Sequence, residues 1–157
     1  MGLHSGRKIG RRRRYVCEES FRKTIIKRIE LKLAAEEMFL DNAITIDNLA
    51  RAIGTNRTYL SQSIKMETGL TFCELVNGLR VGYAKQCMTG EHIKRAMDII
   101  RDDGTLSTEE LAIVSGFGSK RNFVRQFRHI EGITPVQYFR KIRMETTKKP
   151  AILPPQL

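Results

Sequence analysis

Between residues 106 and 140, apolar and cationic positions interleave with a helical period: LSTEELAIVSGFGSKRNFVRQFRHIEGITPVQYFR. Phe123, Phe127 and Ile130 recur at i, i+4 and i+7, the spacing of one face of a helix. Arg121, Arg125 and Arg128 repeat that spacing two residues out of phase. Two residues turn a helix by about 200°, so the arginines face away from the apolar stripe. One side of this helix belongs in a core, and the other faces polyanions. A shorter helix precedes it. Ser107 stands at its N-cap with Glu110 three residues on, the spacing of a capping box, and Leu106 and Leu111 flank the cap as a hydrophobic staple. Gly116 and Gly118 break the chain between the two helices.

The same pattern occurs earlier in ITIDNLARAIGTNRTYLSQSIKMETGLTF, residues 44 to 72. Ile44, Thr45, Asn48, Leu49 and Ala50 align with Leu106, Ser107, Glu110, Leu111 and Ala112. Gly54 aligns with Gly116, Leu60 with Phe123, Ile64 with Phe127, and Gly69-Leu70-Thr71 with Gly132-Ile133-Thr134. The offset is 62 residues before the turn and 63 after it, so one turn is a residue longer. Two helix-turn-helix signals in an internal repeat of about 60 residues indicate one supersecondary unit used twice.

The rest of the chain reads as helix and tail, with no strand signal. Residues 1–16 read as a disordered basic arm. Phe21, Ile25, Ile29, Leu33 and a Met38/Phe39/Leu40 cluster predict a helix over 18–40, ended by Asp41-Asn42. Residues 72–103 read as a long helical connector interrupted near Thr89-Gly90. Pro135 suits the first turn of a last helix to about Met144. The expected fold class is therefore all-α, with two homeodomain-like three-helix units on a long linker helix. Their limits are 17–80 for the first subdomain, 81–105 for the extended linker, 106–144 for the second subdomain and 145–157 for a tail carrying Pro150, Pro154 and Pro155.

In these residues the chain resembles the two-motif DNA-binding domain of AraC/XylS-type transcription regulators. The second motif is carried by Val114, Gly116, Phe117, Phe123, Phe127, Gly132, Thr134, Pro135, Tyr138 and Arg140. The first is carried by Leu49, Ala50, Tyr59, Leu60, Ile64, Glu67, Thr68, Gly69, Phe72, Leu75, Leu79 and Arg80. The resemblance covers about residues 40 to 143. It implies double-stranded DNA as partner, read by two recognition helices in successive major grooves about 34 Å apart, with recruitment of RNA polymerase. The connector departs from the family by about a dozen extra residues between Leu79 and Leu106, as if LRVGYAKQCM and HIKRAMDII doubled one helix. Either the insert folds back at Gly90 as a hairpin, or the half-site spacing is unusual.

Charge agrees with a polyanionic partner. The 157 residues carry a formal charge of +11 and a pI near 10. Residues 1–14 hold six Lys/Arg and no acid, yet the remainder still carries +5. The Arg11–Arg14 run has three open readings: an arm on phosphate, a juxtamembrane flank of a longer regulator, or a solvated surface. Three widely spaced cysteines, Cys17, Cys73 and Cys87, fit neither a disulfide framework nor a zinc site, and read as reduced, buried or half-buried thiols in a cytosolic protein. Scattered His4, His92 and His129, with no catalytic motif, argue against an enzyme and against a cofactor.

The resemblance places base-reading positions at Lys120, Arg121, Asn122 and Arg125 in the second motif and at Thr58, Ser61 and Gln62 in the first. Arg suits guanine, and Asn suits adenine, by paired hydrogen bonds. Arg57, Lys65 and Arg128 are phosphate candidates, and Thr55, Asn56 and Ser119 can present helix N-termini to phosphate. Phe117, Phe123, Phe127, Tyr138 and Tyr59 fall on the apolar stripes and read as core. The expectation is a cytoplasmic, nucleoid-associated, sequence-specific DNA-binding regulator with no room for a small-molecule-binding barrel. It is either a stand-alone regulator or the output domain of a larger sensor. The competing expectation is a protein-interaction module that binds another regulator or polymerase, motivated by the nearly neutral first recognition helix.

Overall fold

The computed structural model describes residues 8–89 and 105–147, with side chains from 19 to 89 and from 105 to 145. Both readings of the linker insertion fall on residues 90–104 and lie outside the described residues, as do residues 1–7 and, of the expected 145–157 tail, residues 148–157; residues 145–147 are helical instead. Described elements are helical throughout, apart from a single-residue bridge at Leu106. In chain order the helices are α1 (Lys8–Glu30), a π-helical stretch (Leu31–Ala35), a 3₁₀ turn (Met38–Leu40), α2 (Ile46–Ala52), α3 (Arg57–Thr68), α4 (Phe72–Thr89), α5 (Thr108–Val114), α6 (Lys120–Glu131) and α7 (Pro135–Thr147). They form two compact units that divide between Val76 and Asn77, within α4.

In the first unit, α1 starts at Lys8, inside the 1–16 segment expected to be an arm. Arg and Lys are good helix formers, and no proline interrupts them. The expected helix over 18–40 instead ends at Glu30 and loosens into the π stretch and the 3₁₀ turn. Between them Glu37 takes a left-handed φ of 50°, which ends α-helical geometry. Ile25, Ile29, Leu33 and Phe39 are buried with Leu49 and Ala50 of α2, Ile53 just after it, and Leu60 and Ile64 of α3. Arg28 donates to the Ile53 carbonyl at the end of α2 (2.9 Å), and Arg22 pairs with Glu67 at the end of α3 (3.1 Å). Thus α1 supplies the first helix of a three-helix unit.

In the second unit α4 takes that part. Val81, Tyr83, Ala84, Cys87 and Met88 are buried, as are Leu111, Ala112, Phe117, Phe123, Phe127 and Phe139. Phe117, Phe123, Phe127 and Tyr138 form a chain of ring contacts with centroids 5.2, 5.6 and 5.6 Å apart, tilted or edge-on as ring quadrupoles favour. Lys85 of α4 pairs with Glu131 at the end of α6 (3.0 Å), so each unit's first helix is tied to the end of its third. The repeat extends to hydrogen bonds. Thr71 and Glu74 close a reciprocal cap at the start of α4, and Thr134 and Gln137 close the equivalent one at α7.

Candidate nucleic-acid interface

Each unit presents its third helix after a tight turn. Gly54 and Gly116, equivalent in the repeat, have φ of +72° and +78°, a region that L side chains rarely adopt. The following amides bond back alike: Thr55 N–H to the Ala50 carbonyl and Phe117 N–H to the Ala112 carbonyl, both 2.9 Å. Gly118, expected to break the chain beside Gly116, is not among the described residues with positive φ. Asn56 then caps α3 by accepting from Tyr59 N–H (2.9 Å), and Ser119 caps α6 by accepting from Asn122 N–H (3.3 Å). Thr55 stands one position earlier. Its hydroxyl is buried without a hydrogen-bond partner, so it does not cap α3.

On α6 the inward side carries Phe123 and Phe127, both fully buried. Lys120, Arg121, Arg125 and Arg128 are exposed and Asn122 is half-buried. Arg125 donates from Nη2 to Asn122 Oδ1 at 3.0 Å, so these two base-reading candidates act as one oriented group. Arg121 and Arg128 are exposed with no ion-pair partner among the described residues. Ile130, expected on the apolar stripe, is 43% exposed, because the stripe drifts off the core in the last turn.

On α3 Thr58, Ser61 and Gln62 are exposed together on the side opposite buried Leu60 and Ile64. The phosphate candidates here are engaged. Arg57 pairs with Asp47 Oδ2 at 3.0 Å, and Lys65 donates to the Gly69 carbonyl at 2.6 Å across the end of the helix. Tyr59, read from the sequence as core, is 51% exposed and meets Phe21 edge-on at 5.7 Å, itself 45% exposed. It lies about 100° from Thr58 around α3, at the edge of the polar face.

Lys120 is likewise paired, with Glu109 Oε1 at 2.6 Å. Asp47 and Glu109 did not figure among the expected site residues. A signal for them existed, because both acids and both cations keep the register of the repeat. The capping box expected at Ser107 does not form: Ser107 sits at the N-cap of α5, but its buried hydroxyl makes no cap bond, whereas its equivalent Thr45 accepts from Asn48 N–H at 3.1 Å. Cys87 is buried, while Cys73 is exposed. Among the described residues no group of three or more His, Cys, Asp or Glu could hold a metal ion, and no helix is long and apolar enough to cross a membrane.

A family model described as a helix-turn-helix domain matches residues 49–141. The HTH-type transcriptional regulator YtdP of Bacillus subtilis, itself uncharacterised, is 29% identical over 98 residues, which are 62% of this chain and 11% of that protein. The chain thus spans about a tenth of that relative's length. Among solved structures, the DNA-binding domain of the global transcriptional factor AdpA, in complex with a target DNA, superposes with a TM-score of 0.60 at 18% identity, covering 80% of this chain and 97% of that one. A transcriptional regulator with an AraC-type DNA-binding domain from Chromobacterium violaceum gives a TM-score of 0.54 at 20% identity, covering 73% and 93%.

Proposed function

The chain belongs to the AraC-type helix-turn-helix family, and from that premise we propose that it binds double-stranded DNA in a sequence-specific manner as a transcription regulator. The observation that carries this reading is α6: two phenylalanines locked in the core, a capped N-terminus, and exposed Arg121, Arg125 and Arg128 on the outward side. Affinity comes largely from cations against phosphate, Arg128 among them, and base choice comes from side chains in the major groove. Arg125, oriented by Asn122, is the guanine reader, while Lys120, Arg121 and Asn122 complete the α6 surface. Thr58, Ser61 and Gln62 on α3 form a second, uncharged reading surface, so the chain reads two successive major-groove segments with one helix each. Asn56 and Ser119 leave the first backbone N–H groups of α3 and α6 free for phosphate.

The same reading makes the protein cytoplasmic and nucleoid-associated, with RNA polymerase as the second partner. A sensor region in a longer parent protein is supported by the small share of YtdP that this chain spans. Pull-down of genomic DNA fragments by the purified chain, followed by sequencing, tests the proposal. One asymmetric motif in two blocks is expected. Recovery without an enriched motif, varying only with salt, would overturn sequence-specific reading.

A further inference from the structure

Resting on that DNA reading, we infer that Asp47 and Glu109 are specificity residues that neutralise the leading cation of each recognition helix and so suppress binding to non-cognate DNA. The contact is duplicated between the two units. Arg57 is the first residue of α3 and Lys120 the first of α6. Asp47 is the second residue of α2 and Glu109 the second of α5. The pairs Arg57–Asp47 (3.0 Å) and Lys120–Glu109 (2.6 Å) therefore join the same two positions in both units. The repeat preserves this contact although the acid and the base both differ between its copies.

The position of these cations is unusual for a helix. The N-terminal end carries partial positive charge and favours acids, yet the first turns of α3 and α6 contain none. The compensating carboxylate comes from the preceding helix instead. The N-terminal end is also the part of a recognition helix that enters the groove. A free cation there would attract any phosphate, whatever the sequence, and such contacts supply nearly all non-specific affinity. Each of these cations instead has a carboxylate within 3.0 Å that offsets its charge. The pull left to the surface then comes from Arg121, Arg125 and Arg128, on the face that reads bases. Exposed pairs of this kind add little to stability, so their recurrence is better accounted for by their effect on a charged partner than by clamping the fold.

The test is fluorescence anisotropy of the full chain on a random-sequence duplex and on the motif recovered from genomic fragments, each across a salt series. The Asp47→Asn/Glu109→Gln double variant should bind the random duplex more tightly. Its dependence of log affinity on log salt should steepen by about 0.9 per freed cation, up to about 1.8. Affinity for the recovered motif should rise less, so discrimination falls. In an Arg57→Gln/Lys120→Gln background the same acid changes should have no effect on the slope, which separates this mechanism from the general gain of positive charge. The Arg57→Gln/Lys120→Gln variant alone, which leaves the acids in place, should lose far less than 1.8 of slope. An unchanged slope in the acid variant, the same steepening without the cations, or full slope loss on removing the cations would each overturn the inference. Absence of duplex binding by the parent chain at any salt would overturn the DNA reading itself, and this inference with it.

Discussion

The guanidinium of Arg80 lies over the ring of Phe117, 5.5 Å from its centroid. Arg80 is only 8% exposed, and Phe117 closes the turn between α5 and α6. A guanidinium tolerates this burial because it is planar, weakly hydrated and able to stack. The contact lets α4 hold the turn that aims the arginine-bearing helix. Arg80→Ala should lower stability by on the order of 2 kcal/mol, and Arg80→Lys should recover only part, since an ammonium does not stack. Urea denaturation followed by circular dichroism checks both; a loss for Arg80→Ala below about 0.5 kcal/mol, the range of ordinary surface changes, would contradict this role.

Phe127 sits between Phe123 and Tyr138 in the chain of rings and is fully buried. Truncation to alanine removes the ring and leaves a cavity, at a cost of about 3–5 kcal/mol. The denaturation midpoint of Phe127→Ala should fall accordingly.

Ser107 and Ser119 occupy N-cap positions but differ in what their hydroxyls do. Ser119→Ala removes the bond to Asn122 N–H and should cost about 1 kcal/mol. Ser107→Ala removes no cap bond and should cost less than Ser119→Ala. Thermal melts of the two variants side by side distinguish them, and equal losses would show that Ser107 caps α5 in solution.

Arg125→Ala removes the group oriented by Asn122. On the recovered motif it should cost about 1–3 kcal/mol of binding and relax selectivity at one base pair. Anisotropy titration against the motif and its single-base variants provides the measurement, and undiminished affinity would remove Arg125 from the reading set.

Hydrogen bonding to Glu131 (3.0 Å) raises the Lys85 ammonium above the ordinary lysine value of 10.5, with burial working against it and the Glu131 charge and the Tyr138 hydroxyl adding to it. A raised folded-state value means that the pair's stabilisation is present below pH 10.5 and is lost as pH climbs through the higher folded value. Lys85→Gln should therefore be less stable than the parent at neutral pH, and the gap should narrow above pH 10.5. Urea midpoints at neutral and strongly alkaline pH check the sign.

The all-α fold, both helix-turn-helix motifs and the inward placement of Leu60, Ile64, Phe123 and Phe127 were legible because they rest on short-range periodicity and on turn chemistry at Gly54 and Gly116. The periodic argument failed at particular places. Tyr59 follows the spacing of an apolar stripe, yet it packs edge-on against Phe21, so both rings keep a solvent face. The helix expected to run from 18 to 40 changes character after Glu30.

The candidate DNA surface divides along the same line. The sequence by itself determined that α6 has an arginine side and a phenylalanine side, because side chains on one helix keep a fixed angular order whatever surrounds them. It also determined that the motif occurs twice. Only the tertiary structure decided which of those charges remain available. Arg57, Lys65 and Lys120 are equal to Arg121 and Arg128 as letters, but the angle between successive helices brings Asp47 to Arg57 and Glu109 to Lys120, and the end of α3 brings the Gly69 carbonyl to Lys65. Coulomb attraction and hydrogen bonding act over a few ångströms in space, and ten or eleven residues of chain reach that distance only once the turn has folded.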